Sequence, residues 1–238
     1  MAHYVISDIH GCYDEYVELL KKIQLSEQDE LFILGDCVDR GPEPIKVLQD
    51  LMLRGNVTCI AGNHDLVMLL VLRPLAVDVT EENAARLRPE DFKKLMDWQM
   101  DGGDTTLKQF IALPKEERED MLSFLEEFSA YEDITVNGNR YILAHSGIDH
   151  FSPEKSLEEY DVTDFVLARA DYKKQYFTED HTFLVTGHTP TTLIREDKQP
   201  LIYEGNGHIA VDCGCVFGGK LAAYCLETGE AVYVDAKQ

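Results

Sequence analysis

The sequence predicts an α/β protein whose polar residues collect at strand ends. Three observations carry this. Strand-like and helical periodicities alternate three times before residue 72, a purely helical stretch follows, and strand character returns after residue 130. At about 150 residues per domain, 238 residues are read as a single domain, 1–238, with a helical insertion at about 75–131.

The elements follow in order. Residues 3 to 7 form an apolar strand-like run, and Tyr16, Leu19, Leu20 and Ile23 give Tyr13 to Ile23 helical spacing. Glu30 to Leu34 is strand-like, Ile45 to Leu53 helical, Val57 to Ala61 strand-like and Leu66 to Leu72 helical, so three β-α units favour a parallel sheet. From Thr80 to Phe128 every periodic segment is helical (Phe92, Leu95, Met96; Leu107, Phe110, Ile111; Met121, Leu122, Leu125, Phe128), with Pro89 and Pro114 placed to open helices. Ile134 to Val136 and Tyr141 to Ala144 flank Asn137-Gly138-Asn139, a hairpin signal that begins a second sheet. A short helix near Val162 to Ala168 precedes strands at Phe183 to Thr186, His208 to Cys213, Leu221 to Leu226 and Ala231 to Val234.

Composition removes several classes. With 45% hydrophobic and 28% charged residues the chain is neither disordered nor fibrous. The longest apolar run, Leu66 to Leu72, falls far short of the roughly 20 residues of a membrane span, and the N-terminus carries no signal-peptide pattern. The expected location is the cytoplasm. A net charge of −22 opposes binding to nucleic-acid backbones and to anionic membranes, so neither is expected as a partner. The six cysteines make no C-x-x-C pair and read as reduced thiols; Cys213 and Cys215, two apart, would share a strand face.

Polar motifs sit at the carboxyl ends of the predicted strands, where ligands bind in open α/β sheets. Asp8-Ile9-His10-Gly11, Gly35-Asp36-Cys37-Val38-Asp39-Arg40-Gly41 and Gly62-Asn63-His64-Asp65 follow the first three strands, while His145-Ser146-Gly147 and Gly187-His188-Thr189 follow two later ones. Carboxylate, carboxamide and imidazole groups form a borderline ligand set suited to Mn, Fe or Zn, and six candidates exceed the needs of one tetrahedral ion. Two ions about 3.5 to 4 Å apart, sharing a carboxylate, would use them all. His3, His150, His181 and His208 lack such context and read as structural.

These five ordered motifs, spanning residues 8 to 190, resemble the signature of the calcineurin-like metallophosphoesterases, in particular the small bacterial and phage-type members of the phosphoprotein phosphatase family. The resemblance implies a four-layer α/β/β/α sandwich with a helical insertion. It assigns Asp8, His10 and Asp36 to one metal and Asp36, Asn63, His145 and His188 to a second, the two divalent ions being Mn, with Fe or Zn as alternatives. His64 would be the general acid, Asp39 its orienting carboxylate and Arg40 a phosphate grip, with Arg169 as a second phosphate-binding arginine; Asn63 would also touch substrate.

The implied activity is hydrolysis of phosphoserine or phosphothreonine, in a protein or a small phosphomonoester, by a metal-bridging hydroxide. Asp65 stands where the family's usual residue is Glu, a form shared with symmetrical dinucleoside tetraphosphatases, which makes nucleotide hydrolysis the alternative; Asp39 points back to the phosphatase. A catalytically silent phosphopeptide-binding module is the third reading, opposed by the intact ligand set. Acidic residues of the insertion (Glu81, Glu82, Glu90, Asp91, Asp97, Asp101, Asp104, Glu116, Glu117) are expected to overhang the crevice and disfavour polyphosphates.

Overall fold

The computed structural model describes residues 1–75 and 88–237. The first sheet has the order β10-β9-β1-β2-β3, built from β1 (His3–Ile6), β2 (Glu30–Ile33), β3 (Val57–Cys59), β9 (Lys220–Cys225) and β10 (Ala231–Asp235). β1, β2 and β3 are parallel neighbours, as the β-α repeats require, and β9 and β10 close the other edge antiparallel. The second sheet has the order β4-β5-β6-β8-β7, with β4 (Tyr131–Val136), β5 (Asn139–Ala144), β6 (Thr182–Thr186), β7 (Tyr203–Gly205) and β8 (His208–Ala210).

Period-two alternation divides the side chains between cores. Val5 and Phe32 meet Leu143, Val185 and Ile209 between the sheets. Ile6, Leu31 and Ile33 face α1 (Tyr13–Lys22), α2 (Pro44–Met52) and α3 (Asn63–Leu72) on the outside of the first sheet. Ile142, Ala144 and Leu184 face Phe165, Tyr160 and Tyr176 on the outside of the second. This is the expected α/β/β/α sandwich. Its fourth layer is thin, consisting of loops, a 3₁₀ turn at Leu157–Glu159 and the five-residue α7 (Val162–Val166).

Between α3 and β4 lie α4 (Pro89–Trp98), a π-turn (Gln99–Gly103), α5 (Asp104–Ile111) and α6 (Lys115–Glu126). Trp98, Phe110, Met121, Leu122 and Leu125 join the core against the first sheet. The part of the expected helical stretch from residue 80 to 87, with Glu81 and Glu82, lies outside the described residues. Local differences from expectation are small. α3 begins three residues early, at Asn63, and β7 and α8 (Thr191–Ile194) are additional elements of three and four residues. Cys213 and Cys215 do not share a face: β8 ends at Ala210, Cys213 enters the core between the sheets, and Cys215 opens a 3₁₀ turn packed on the helix side. All six cysteines are free and buried. Among the described residues no helix is long and apolar enough to cross a membrane.

The strand-end loops continue the sheet ladders. Asp8 and His10 donate their backbone N–H groups to Gly35 and Asp36 carbonyls at 3.1 and 2.8 Å, and Gly187 donates to the His145 carbonyl at 2.8 Å. β2 and β3 approach so closely past their ends that a Cβ on Gly62 would stand 2.2 Å from the Asp36 nitrogen. Gly62→Ala therefore forces backbone apart; we expect thermal denaturation to show a loss of about 1–3 kcal/mol, whereas an unchanged melting temperature would mean the two loops are not locked together.

Candidate metal and phosphate site

The polar loops meet in one crevice at the carboxyl edge of β1, β2, β3, β5 and β6. Asp36 lies at its centre. Its Oδ2 is 3.4 Å from His10 Nε2 and 3.5 Å from His145 Nε2, so one carboxylate oxygen stands between two imidazoles contributed by different sheets. Candidate ligand atoms of His10, Asp36 and His64 lie within 4.8 Å of one another, and so do those of Asp36, His145 and His188. Asp36 belongs to both groups.

The tautomers are set from behind. The Nδ1 atoms of His10 and His145 face the carbonyls of Val38 and Leu34 at 2.8 and 2.7 Å; each Nδ1 must therefore carry the proton, and each Nε2 lone pair points into the crevice. Asn63 Oδ1 lies 3.0 Å from both His145 Nε2 and His188 Nδ1, which are 3.2 Å apart. His145 Nε2, unprotonated because Nδ1 donates to Leu34, and Asn63 Oδ1 are both acceptors, and two acceptors this close repel one another unless a cation lies between them. Around His10 a cation is already present: Arg40 Nη1 stands 2.8 Å from Nε2, a guanidinium in the place where the lone pair would meet a metal. The donor set thus fits divalent ions. Asp8 is slightly withdrawn, one oxygen 4.0 Å from His10 Nε2 and the other accepting the His188 N–H at 2.9 Å.

Burial sets the charge states. It pushes Asp8 up to about 6, with Asp36 adding to the shift, and pushes Asp36 likewise up to about 6; Asp212, nearby and fully enclosed, is pushed well above the carboxylate range. Burial also lowers His10 far below neutrality and His188 to about 3, leaving both rings neutral and able to coordinate.

His64 is treated differently. Burial alone would lower it, but its Nδ1 hydrogen bond to Asp39 Oδ2 at 2.7 Å and the charge of Asp36 raise it above an ordinary histidine. Asp39 is itself held by Trp98 Nε1 at 2.7 Å and by the Thr106 hydroxyl at 2.6 Å. The opposite nitrogen, His64 Nε2, is buried without a hydrogen-bond partner, 3.7 Å from Asp101 Oδ2. A proton held there can be delivered into the crevice. Asp101, on the π-turn, also lies 3.6 Å from Arg40 Nη2.

The backbone carries strain to achieve this. Asp8, His10, Asp36, Asp39, Arg40 and His188 all have positive φ, between 44° and 71°, a region that costs non-glycine residues of order 1 kcal/mol or more each. Asp65 offsets part of it: its buried carboxylate accepts backbone N–H groups from Asp36, Gly62 and Cys37 at 2.7, 3.1 and 3.0 Å and so joins the second and third loops.

Two grooves open from the crevice. One, about 390 Å³, is lined by Arg40, Asn63, His64, Arg169, His188 and Phe217 among others, which brings the exposed Arg169 into the same groove as Arg40. The other, about 370 Å³, shares Asn63 and His64 and runs over Val67, Leu70, Val71 and Trp98. Every residue expected at the site is therefore in this crevice. His3, His150, His181 and His208 lie elsewhere; His3 pairs with Glu227, and His208 is buried against Tyr172 and Tyr176. Trp98, Thr106 and the bonding of Asp65 are additions that the motifs did not disclose. The one local signal was that the chain's single tryptophan lies in the helical insertion. The acidic overhang needs correcting: of the insertion acids within the described residues, only Asp97 and Asp101 line a groove of this crevice, because Glu116 and Glu117 belong to α6, which packs on α3 and α2.

Residues 1–234 match the family described as calcineurin-like phosphoesterase. The bis(5'-nucleosyl)-tetraphosphatase PrpE [asymmetrical] of Bacillus velezensis is 30% identical, covering 99% of this chain and 93% of its own length. The symmetrical bis(5'-nucleosyl)-tetraphosphatase of Neisseria gonorrhoeae is 29% identical, covering 99% and 96%. A solved structure described as a putative diadenosine tetraphosphatase shares the fold with a TM-score of 0.67 at 19% identity, covering 100% of this chain and 94% of that one.

Two outcomes follow from the geometry. Asp36→Asn should leave the circular dichroism spectrum intact and remove bound metal, as read by elemental analysis; full retention of two ions would deny Asp36 its shared role. A divalent ion must also displace the protons of Asp8 and Asp36, so its affinity should fall below pH 6 by up to about tenfold per pH unit for each carboxylate. Calorimetric titration with Mn between pH 5 and 7.5 measures this, and a flat profile would contradict it.

Proposed function

This chain belongs to the calcineurin-like phosphoesterase family, and we propose that it hydrolyses dinucleoside polyphosphates at a phosphoanhydride bond, using two divalent ions of the Mn type. The observation that carries the reading is the meeting of two grooves at Asn63 and His64, which fits a substrate with an arm on each side of the reacting phosphorus. One groove presents apolar surface, with the exposed Leu70 beside Trp98, and the other sets the exposed Phe217 beneath Arg40, its ring centroid 5.4 Å from the guanidinium carbon. The first suits a nucleobase, and the second, lined by Arg40 and Arg169, suits a phosphate arm. Relatives matched over nearly their whole length, and named for tetraphosphatase activity, support the same substrate class.

In this reading Asp8, His10 and Asp36 would hold one ion, and Asp36, Asn63, His145 and His188 would hold the other. When bound, such ions polarise phosphoryl oxygens and lower the pKa of an attacking water. Arg40 and Arg169, lining the same groove, grip the non-bridging oxygens and orient phosphorus for in-line displacement. His64 holds its proton on Nε2 and gives it to the departing oxygen, while Asp39 fixes the ring through Nδ1. Trp98 and Thr106 fix Asp39.

Hydrolysis of phosphoserine or phosphothreonine is the second reading, and it uses the same centre. The acid overhang that favoured it is reduced to Asp97 and Asp101. With Mn present, diadenosine tetraphosphate should show a kcat/KM at least about tenfold above that of a phosphoserine peptide, about 1.4 kcal/mol of transition-state discrimination. The reverse order would restore the monoesterase. His64→Asn should lower kcat by about 10²- to 10⁴-fold for alkyl phosphates and by less for aryl phosphates, whose leaving groups need little protonation. Equal losses across leaving-group pKa would remove the acid role.

A further inference from the structure

Beyond Arg169 the reaction cavity continues into a larger groove of about 780 Å³, and the two share Arg169 and Leu193. Its walls carry Arg169, Lys173, Arg195 and Lys198 against Asp171 and Glu196. Four cations line it where the chain's average composition would place about one. Their partners differ. Arg195 is held bidentate by Asp197 at 2.9 and 2.6 Å, so its charge is compensated. Asp171 Oδ1 is engaged by the backbone N–H of Lys173 at 3.0 Å. The side chains of Lys173 and Lys198 are exposed and make no ion pair among the described residues.

The groove on the far side of the crevice is the opposite in character. There Lys94 faces Asp97 and Asp101 over an apolar floor. In a chain of net charge −22, an anionic substrate tail is therefore drawn to one side of the crevice only.

We propose that the groove beyond Arg169 is a subsite for the phosphoanhydride chain distal to the reacting phosphorus, with Lys173 and Lys198 as the residues that read its charge. The proposal rests on the polyphosphate reading above and adds a direction to it: the nearer nucleoside lies over Trp98 and Leu70, and the longer phosphate arm passes Arg169 toward Lys173 and Lys198. Free inorganic polyphosphate offers the same chemistry as the arm of a dinucleotide.

The test uses the full chain loaded with Mn and the double variant Lys173→Glu/Lys198→Glu. The control is Lys21→Glu/Lys22→Glu, the same charge change at the C-terminal end of α1, on the edge of the sheet opposite the crevice. Tripolyphosphate is titrated by calorimetry and as an inhibitor of p-nitrophenyl phosphate hydrolysis, with inorganic phosphate in parallel. We expect the first variant to weaken tripolyphosphate by about tenfold or more, with inorganic phosphate and p-nitrophenyl phosphate kinetics within about twofold and the control unaffected. Equal tripolyphosphate binding in the variant and the parent overturns the proposal, as does an equal loss for inorganic phosphate or in the control. Diadenosine tetraphosphate separates the sources: a matching rise in its KM extends the subsite to the dinucleotide. If the parent does not turn over that dinucleotide yet tripolyphosphate binding still depends on the two lysines, the subsite stands for inorganic polyphosphate and the dinucleotide reading falls.

Discussion

The organising constraint is the concentration of electron-pair donors around Asp36. A buried carboxylate, three imidazole nitrogens and a carboxamide oxygen face one another across 3.0 to 3.5 Å. Without a cation the arrangement is unfavourable: burial raises Asp8 and Asp36, and Arg40 turns a guanidinium nitrogen toward His10. The fold has to hold these groups against their mutual repulsion. It does so by giving each its own strand end, by anchoring the histidines through Val38 and Leu34 carbonyls, and by joining the loops through the Asp65 carboxylate. Strained backbone concentrates where this constraint acts.

The two-sheet architecture follows from the same requirement. Asp8, Asp36 and Asn63 come from the first sheet and its loops, while His145 and His188 come from the second. The core between the sheets, with Phe32 and Leu143 on facing surfaces, therefore fixes the distance between the halves of the centre. The insertion contributes a different function. Through Trp98 and Thr106 it clamps Asp39, and through the π-turn it sets Asp101 beside His64 and Arg40. The acid group is also tied to the candidate ligands, since the His64 backbone N–H donates to Asp36 Oδ1 at 2.9 Å, so the insertion adds a second hold on a group the centre already positions.

Much of this was legible in the sequence because it is locally encoded. The β-α alternation through residue 72 gives the parallel strands, and every predicted site residue except Arg169 follows a strand end by a few residues, so motif order and strand order agree. Arg169, on a degenerate local pattern, was also placed in the crevice. What escaped was either too short or too distant. β7 and α8, at three and four residues, offer no periodicity to read. The bonds from Trp98 and Thr106 to Asp39 cross 59 and 67 residues, and no local spacing encodes them. The acidic overhang failed for a related reason: charge counted along the insertion does not say which helix face or which turn reaches the crevice. Only the π-turn brings Asp101 there, and Glu116 and Glu117 start a helix that packs away from it. Substrate class was the least legible property, since the grooves that distinguish substrates are assembled from six separate stretches of chain.

The central claim is a binuclear centre bridged by Asp36, and anomalous diffraction from crystals grown with Mn tests it most directly. The account predicts two peaks about 3.5 to 4 Å apart, with Asp36 between them, Asn63, His145 and His188 around one, and His10 beside the other. A single ion, or two ions with Asp36 bound to neither or to only one, would contradict it.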